Sequence, residues 1–331
     1  MTTHRYLVYN LCIESDVRLQ IPAEQPSPDR PVDLYFTRRF AQSADRFPEQ
    51  ACVYAAATVN RFGESSLQLY RDGPREVIRF PRAADFALLP GRPGTPARPG
   101  TIVCTLRGPR FECMVGIWLL GYVLTYYLER CGAAAMHAAA VEIDGRAVLF
   151  LGDGGAGKST LVAGMLLAGL PLLADDISVL ECRDHGVVCR SGYPQVKLSP
   201  EQAQTFLGSA EGLKRVHPSF AKLGVPAAKL GSFASGCFPV ERIYVPERSP
   251  TGGEDLLGDS LAQAEGLMML LRHSFLAELL AAVKLDAVRL QLLARVARTV
   301  PMKPLRYENG YQHLQSVCKA VVADCALTFA R

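Results

Sequence analysis

Gly152-Asp153-Gly154-Gly155-Ala156-Gly157-Lys158-Ser159, followed by Thr160, has the G-x-x-x-x-G-K-S spacing of a phosphate-binding loop. Glycines let successive backbone N–H groups turn inward around a phosphate chain. Lys158 offers a point charge for the outer phosphates, and the Ser159 hydroxyl offers a ligand for Mg²⁺. A helix starting near Lys158 adds its N-terminal dipole. The apolar run Ala147–Leu151 precedes the loop, and Leu161–Leu170 has helical composition. That is the strand–loop–helix setting the motif requires. The expected ligands are ATP and Mg²⁺, held along residues 152–160.

A second group converges on the loop. Segments Ala138–Ile143 and Arg146–Leu151 flank Asp144-Gly145, a type I′ hairpin signal. Paired residues then sum to 289, which sets His137 opposite Gly152. The loop's helix is expected to end at Gly169, and Leu170–Ala174 reads as the next strand. A short crossover makes that strand parallel to the P-loop strand, and often adjacent to it. Asp175 and Asp176 would then emerge at the phosphate edge, 16 and 17 residues after Ser159 (175 − 159 and 176 − 159). Elsewhere such a pair is commonly a solvated turn or a helix cap, and a lone histidine is a core residue. Beside a P-loop, one carboxylate can support Mg²⁺ while the other accepts the proton of an attacking hydroxyl. A histidine bonded to that base can tune its pKa or shuttle its proton.

His137-Ala-Ala-Ala-Val-Glu-Ile-Asp-Gly, the P-loop, and Leu172-Leu-Ala-Asp-Asp176 together resemble the catalytic core of the HPr kinase/phosphorylase group over residues 125–200. The resemblance implies an α/β fold with a PEP-carboxykinase-like P-loop domain. It implies His137 and Asp175 as the acid–base pair, with Asp176 assisting the metal beside Ser159. Bifunctional members of the group carry E-x-R-G-x-G after the aspartates. Here Val187-Val-Cys-Arg-Ser-Gly-Tyr-Pro-Gln-Val-Lys197 keeps only Arg190 and Gly192 of that pattern and lacks the metal-supporting glutamate. The chain is more similar to diverged HPr-kinase-like proteins of ribosomal peptide pathways, including lasso peptide clusters. The likeness runs through Tyr9-Asn-Leu-Cys-Ile-Glu-Ser-Asp16, Gly192–Leu198 and Pro301–Arg306. It implies a kinase acting on a serine of a precursor peptide or small protein. Arg190, Lys197, Lys303 and Arg306 are the candidate phosphate or substrate cations, the last two in a proline-flanked loop. The basic run from Lys284 to Arg306 as a whole reads either as a solvated helix face or as a phosphate- or peptide-binding face.

The elements that position these residues divide the chain. Residues 1–110 read as a β-rich module, with strands at Arg5–Ile13, Val32–Thr37, Cys52–Ala56, Ser66–Arg71, Val77–Phe80, Phe86–Leu89 and Thr101–Cys104. Proline-rich turns separate them, notably Pro22–Pro31 and Pro90–Gly100. Residues 111–331 read as the P-loop kinase domain with a helical tail over 256–271, 274–282, 285–297 and 311–322, broken at Pro301–Pro304. The module has no catalytic spacing, so its expected part is packing or recognition of an extended substrate.

Composition narrows the classes further. The chain has 331 residues, 49% of them hydrophobic, with a net charge of +4, and shows no nucleic-acid-binding motif. Its ten cysteines form no C-x-x-C pair and read as reduced thiols of a cytoplasmic protein. The apolar run Met114–Leu128 falls short of the roughly 20 residues that span a bilayer, so a buried helix and no membrane partner are expected. A homo-oligomer is allowed. The alternatives are a small-molecule hydroxyl kinase or carboxykinase-like enzyme, and an ATP-binding regulatory protein with weak turnover.

Overall fold

The computed structural model describes residues 3–42, 51–89, 91, 98–249 and 256–329. It is a mixed α/β chain of two compact units, Met1–Gly132 with Leu276–Arg289, and Ala133–Phe275 with Leu290–Arg331. The division expected near residue 110 therefore falls at 132, and a short later segment returns to the first unit.

The first unit carries β1 (His4–Val8), β2 (Leu11–Ser15), β3 (Leu34–Phe40), β4 (Cys52–Ala55), β5 (Gln68–Asp72), β6 (Arg75–Phe80), β7 (Ala84–Leu89) and β8 (Gly100–Leu106). They form one sheet in the order β1-β2-β3-β8-β7-β6-β5-β4, parallel at β2–β3 and β3–β8. The single strand expected over Arg5–Ile13 is instead a hairpin. Tyr9 and Asn10 both take positive φ, 51° and 53°, which a two-residue type I′ turn requires. The turn expected over Pro90–Gly100 lies largely outside the described residues.

A helix over Pro109–Arg130 is 22 residues long, longer than its apolar run, and by length and composition alone is apolar enough to cross a bilayer. More than half of it is buried, and its contacts are those of a core helix. Trp118 stacks on Phe80 at 4.6 Å, and the Tyr126 hydroxyl donates to buried Glu76 at 3.0 Å. The helix joins the first unit because that sheet buries it. Its Glu129 pairs with Arg289 at 2.6 Å, both side chains almost wholly buried, which ties 276–289 to the same unit.

The second unit carries β9 (Ala134–Met136), β10 (Ala138–Ile143), β11 (Arg146–Leu151), β12 (Leu172–Ala174), β13 (Ser178–Arg183), β14 (Gly186–Arg190), β15 (Gln195–Leu198), β16 (Lys214–Arg215), β17 (Leu223–Pro226), β18 (Cys237–Ser249) and β19 (Met302–Glu308). The main sheet runs β12-β10-β11-β18-β14-β13-β9, with β19 beside β18, and β15-β17-β16 form a small second sheet. The hairpin register runs from Ile143↔Arg146 to Ala138↔Leu151, so pairs sum to 289. β12 does run parallel in direction to β11, but it is not adjacent. It pairs antiparallel with β10, which stands between them.

The parallel neighbour of β11 is β18, a strand the sequence patterning did not yield, and β19 runs parallel beside that. The tail is thus not purely helical, and the segment expected as a loop around Pro301–Pro304 is a strand. Proline is tolerated in a strand without a ladder N–H of its own, as at a sheet edge. The β11 sequence is apolar throughout because both faces are covered. Val148 and Phe150 join the core with Leu161, Leu166 and Val317, whereas Ala147, Leu149 and Leu151 join a second core with Leu270, Leu293 and Val296.

Candidate active site

The P-loop leaves the C-terminal end of β11 and enters the helix Lys158–Leu167. Gly155 and Gly157 take φ of 85° and 95°, conformations that side chains rarely adopt. A Cβ on Gly157 would also meet the Tyr307 hydroxyl at 2.8 Å. Lys158 is 6% exposed, and its Nζ donates to the carbonyls of Gly152 at 2.6 Å and Asp153 at 3.0 Å. Burial holds its pKa below the ordinary lysine value, against the pull of Asp176 and Asp175. Arg248, from the end of β18, donates to the Gly155 carbonyl. Thr160 Oγ1 accepts from Gln202 at 2.7 Å, and Gln202 itself belongs to the capping box opening the helix Pro200–Leu207. The Asp153 side chain turns to Arg272 at 2.6 Å, a pair exposed enough to contribute little.

The adjacent aspartates emerge at the end of β12 and point to different partners. Asp175 is 3% exposed. Ser159 Oγ donates to its Oδ1 at 2.9 Å, and the Lys197 backbone N–H donates to its Oδ2 at 2.7 Å. Burial pushes its pKa up, and the charge of Asp176 adds to that, against these hydrogen bonds. Asp176 takes φ of 76°, an uncommon left-handed conformation of the kind that concentrates at functional sites. Its Oδ2 accepts from Lys197 Nζ at 2.6 Å, and its Oδ1 lies 3.5 Å from His137 Nδ1. Burial would raise the Asp176 pKa, but the charge and hydrogen bond of Lys197 hold it below the usual carboxylate range.

His137 follows β9 and immediately precedes β10, and its backbone N–H donates to the His273 carbonyl at 2.8 Å. Burial and the charge of Lys158 hold its imidazole below the ordinary histidine value despite Asp176. It is neutral near pH 7 and able to accept or donate at either nitrogen. The expected partnerships are therefore exchanged. His137 faces Asp176 rather than Asp175, and Ser159 lies against Asp175 rather than Asp176.

The Ser159 hydroxyl and the Asp175 carboxylate are hard oxygen ligands, and their 2.9 Å approach fits a P-loop Mg²⁺ site completed by phosphate oxygens. No group of three or more His, Cys, Asp and Glu side chains among the described residues forms a metal cluster, so this two-residue arrangement is the metal candidate.

Of the four cations singled out from sequence, Lys197 alone reaches the two aspartates. Arg190 pairs with Glu181 at 2.9 Å within the sheet. Lys303 lies on β19 and donates to Asp324 at 2.8 Å, while Arg306 pairs with Glu247 at 3.0 Å. Lys222, Arg248, Arg272 and His273 were not legible as site residues. Each comes from a segment 60 or more residues beyond the P-loop, and only the topology brings them back to it.

No protein-family model matches the chain, and neither does any curated protein. Among solved structures, the HPr(Ser) kinase/phosphatase from Coxiella burnetii is 12% identical, with a TM-score of 0.31, over 60% of this chain and 99% of that one.

Proposed function

We propose that this protein is an ATP- and Mg²⁺-dependent kinase that transfers the γ-phosphoryl group to a hydroxyl. The observation that carries the reading is the division of labour between two neighbouring carboxylates beside a P-loop: Asp175 on Ser159, Asp176 on His137 and Lys197. The loop backbone and Lys158 bind the phosphates. Ser159 and Asp175 would hold Mg²⁺, which supplies charge neutralisation at the phosphate oxygens.

Asp176 is the proton acceptor in this scheme, reversing the parts implied by family resemblance. Its side chain is 29% exposed, so an acceptor hydroxyl can approach it, whereas Asp175 is only 3% exposed. Neutral His137 orients Asp176, and Lys197 fixes it from the other side. The Asp176 carboxylate is a weak base, which suits a loose transition state in which positioning and charge neutralisation outweigh proton abstraction.

The acceptor in this proposal is a serine of a peptide, of the precursor-peptide kind the sequence resemblance implies. The first unit supports that choice through β4, the end strand of its sheet among the described residues, with Val53 37% exposed, since extended peptides add to sheet edges. Incubation with ATP, Mg²⁺ and a pool of serine-containing peptides, read by mass spectrometry, tests it. Peptide gains of one phosphate are expected. Phosphorylation of free serine or small alcohols alone would replace the peptide with a small-molecule acceptor, and ATP binding without any transfer would favour a regulatory P-loop protein.

A further inference from the structure

The small sheet β15-β17-β16 carries a second lysine on the face of the one that holds Asp176. Gly224 of β17 pairs with Lys197 on one side and with Lys214 on the other. Side chains two apart on a strand share a face, so Lys222 lies on the face that carries Lys197, the residue bonded to Asp176. The β16–β17 hairpin fixes its backbone, because Val216 N–H donates to the Lys222 carbonyl at 3.0 Å as the pair closing the loop 217–221. Lys158 lies within the loop, donating to its carbonyls, and Lys197 is bonded to Asp176. The Lys222 ammonium has no hydrogen bond or ion pair among the described residues.

We infer that Lys222 is a ligand for the terminal phosphate of the bound nucleoside triphosphate. The assignment rests on the proposed nucleotide site. Lys158, Lys197 and Lys222 bring three cations to a site with two carboxylates, Asp175 and Asp176, which leaves positive charge for a phosphate to meet. Its closeness follows from the register, which sets Lys222 diagonally across from Lys197 on one face of the small sheet. The inner phosphates are the ones the loop amides enclose. A cation on the side of Asp176 and His137, where the acceptor hydroxyl would arrive, therefore meets the outermost phosphate. Lys222 is solvent-exposed, so replacing it leaves the core undisturbed.

The test is calorimetric binding of ADP and of a non-hydrolysable ATP analogue, each with Mg²⁺, to full-length wild type, Lys222→Ala and Lys222→Arg. Lys222→Ala should weaken the ATP analogue by about tenfold, or about 1.4 kcal/mol, and leave ADP within about twofold. Lys222→Arg should recover most of the loss. Equal losses for both nucleotides, or none, would overturn the assignment while leaving the nucleotide site intact. Failure of the wild type to bind either nucleotide would overturn the site reading and this assignment with it.

Discussion

Ser159 Oγ lies 2.9 Å from Asp175 Oδ1, while the next residue, Asp176, turns away to sit 3.5 Å from His137. Asp176 takes a positive φ, and the two carboxylates shift in opposite directions: burial raises the pKa of Asp175, and the charge and hydrogen bond of Lys197 lower that of Asp176.

Asp175→Asn should stabilise the nucleotide-free protein at neutral pH. The folded-state pKa of Asp175 is raised, so the folded protein binds the proton more readily than the unfolded chain does. Its contribution to stability is therefore present at low pH and is lost as pH rises from the unfolded value near 3.8 through the raised folded value. An asparagine keeps an acceptor for the Lys197 N–H and can donate to Ser159 without a buried charge. Thermal melts from pH 4 to 8 should show the variant's advantage growing with pH. A lower Tm than wild type at pH 7.5 would contradict this.

His137→Ala should lower kcat by roughly 10²–10⁴ with ATP affinity nearly unchanged, as expected for a group that positions the base. The imidazole pKa is depressed, so the acid limb of the kcat profile should lie below the ordinary histidine value of about 6.5. Protonation also favours the unfolded chain. Wild type should lose stability as pH falls from the ordinary value through the depressed one, and His137→Ala should lose less. Identical melting curves and kcat profiles for the two proteins would refute this part.

The site's first layer was legible because it is local. The P-loop, the Asp144-Gly145 turn and its 289-sum register are set by spacing within 20 residues, and the hairpin follows that register. What was not legible is long-range. β18 and β19 carry prolines, Pro239, Pro246 and Pro304, which obscure strand patterning, yet parallel pairing to β11 and to each other makes them strands. No side-chain pattern encodes which of the two carboxylates faces His137.

Lys303→Ala should cost stability, about 1–3 kcal/mol, and leave ATP binding unchanged. Lys303 is one of several donors to Asp324, which is 9% exposed and also accepts from Arg242 and Tyr244. Chemical denaturation alongside nucleotide titration separates the two effects. A loss of ATP affinity at unchanged stability would restore Lys303 as a phosphate ligand.

Arg289→Ala should destabilise the first unit by about 3–5 kcal/mol, because it leaves Glu129 buried without its guanidinium partner. Urea denaturation of the full chain should show this as a lower midpoint. A change below about 0.5 kcal/mol would mean that the pair does not tie 276–289 to the helix Pro109–Arg130.

The central claim, that Asp176 is the proton acceptor of a hydroxyl kinase, is tested most directly by phosphoserine formation on a serine-containing acceptor peptide by wild type and Asp176→Asn, with ATP affinity measured on the same samples. The account predicts one ADP per phosphoserine for wild type, a loss of at least about 100-fold in Asp176→Asn, and ATP binding within about twofold. Undiminished transfer by Asp176→Asn would contradict it.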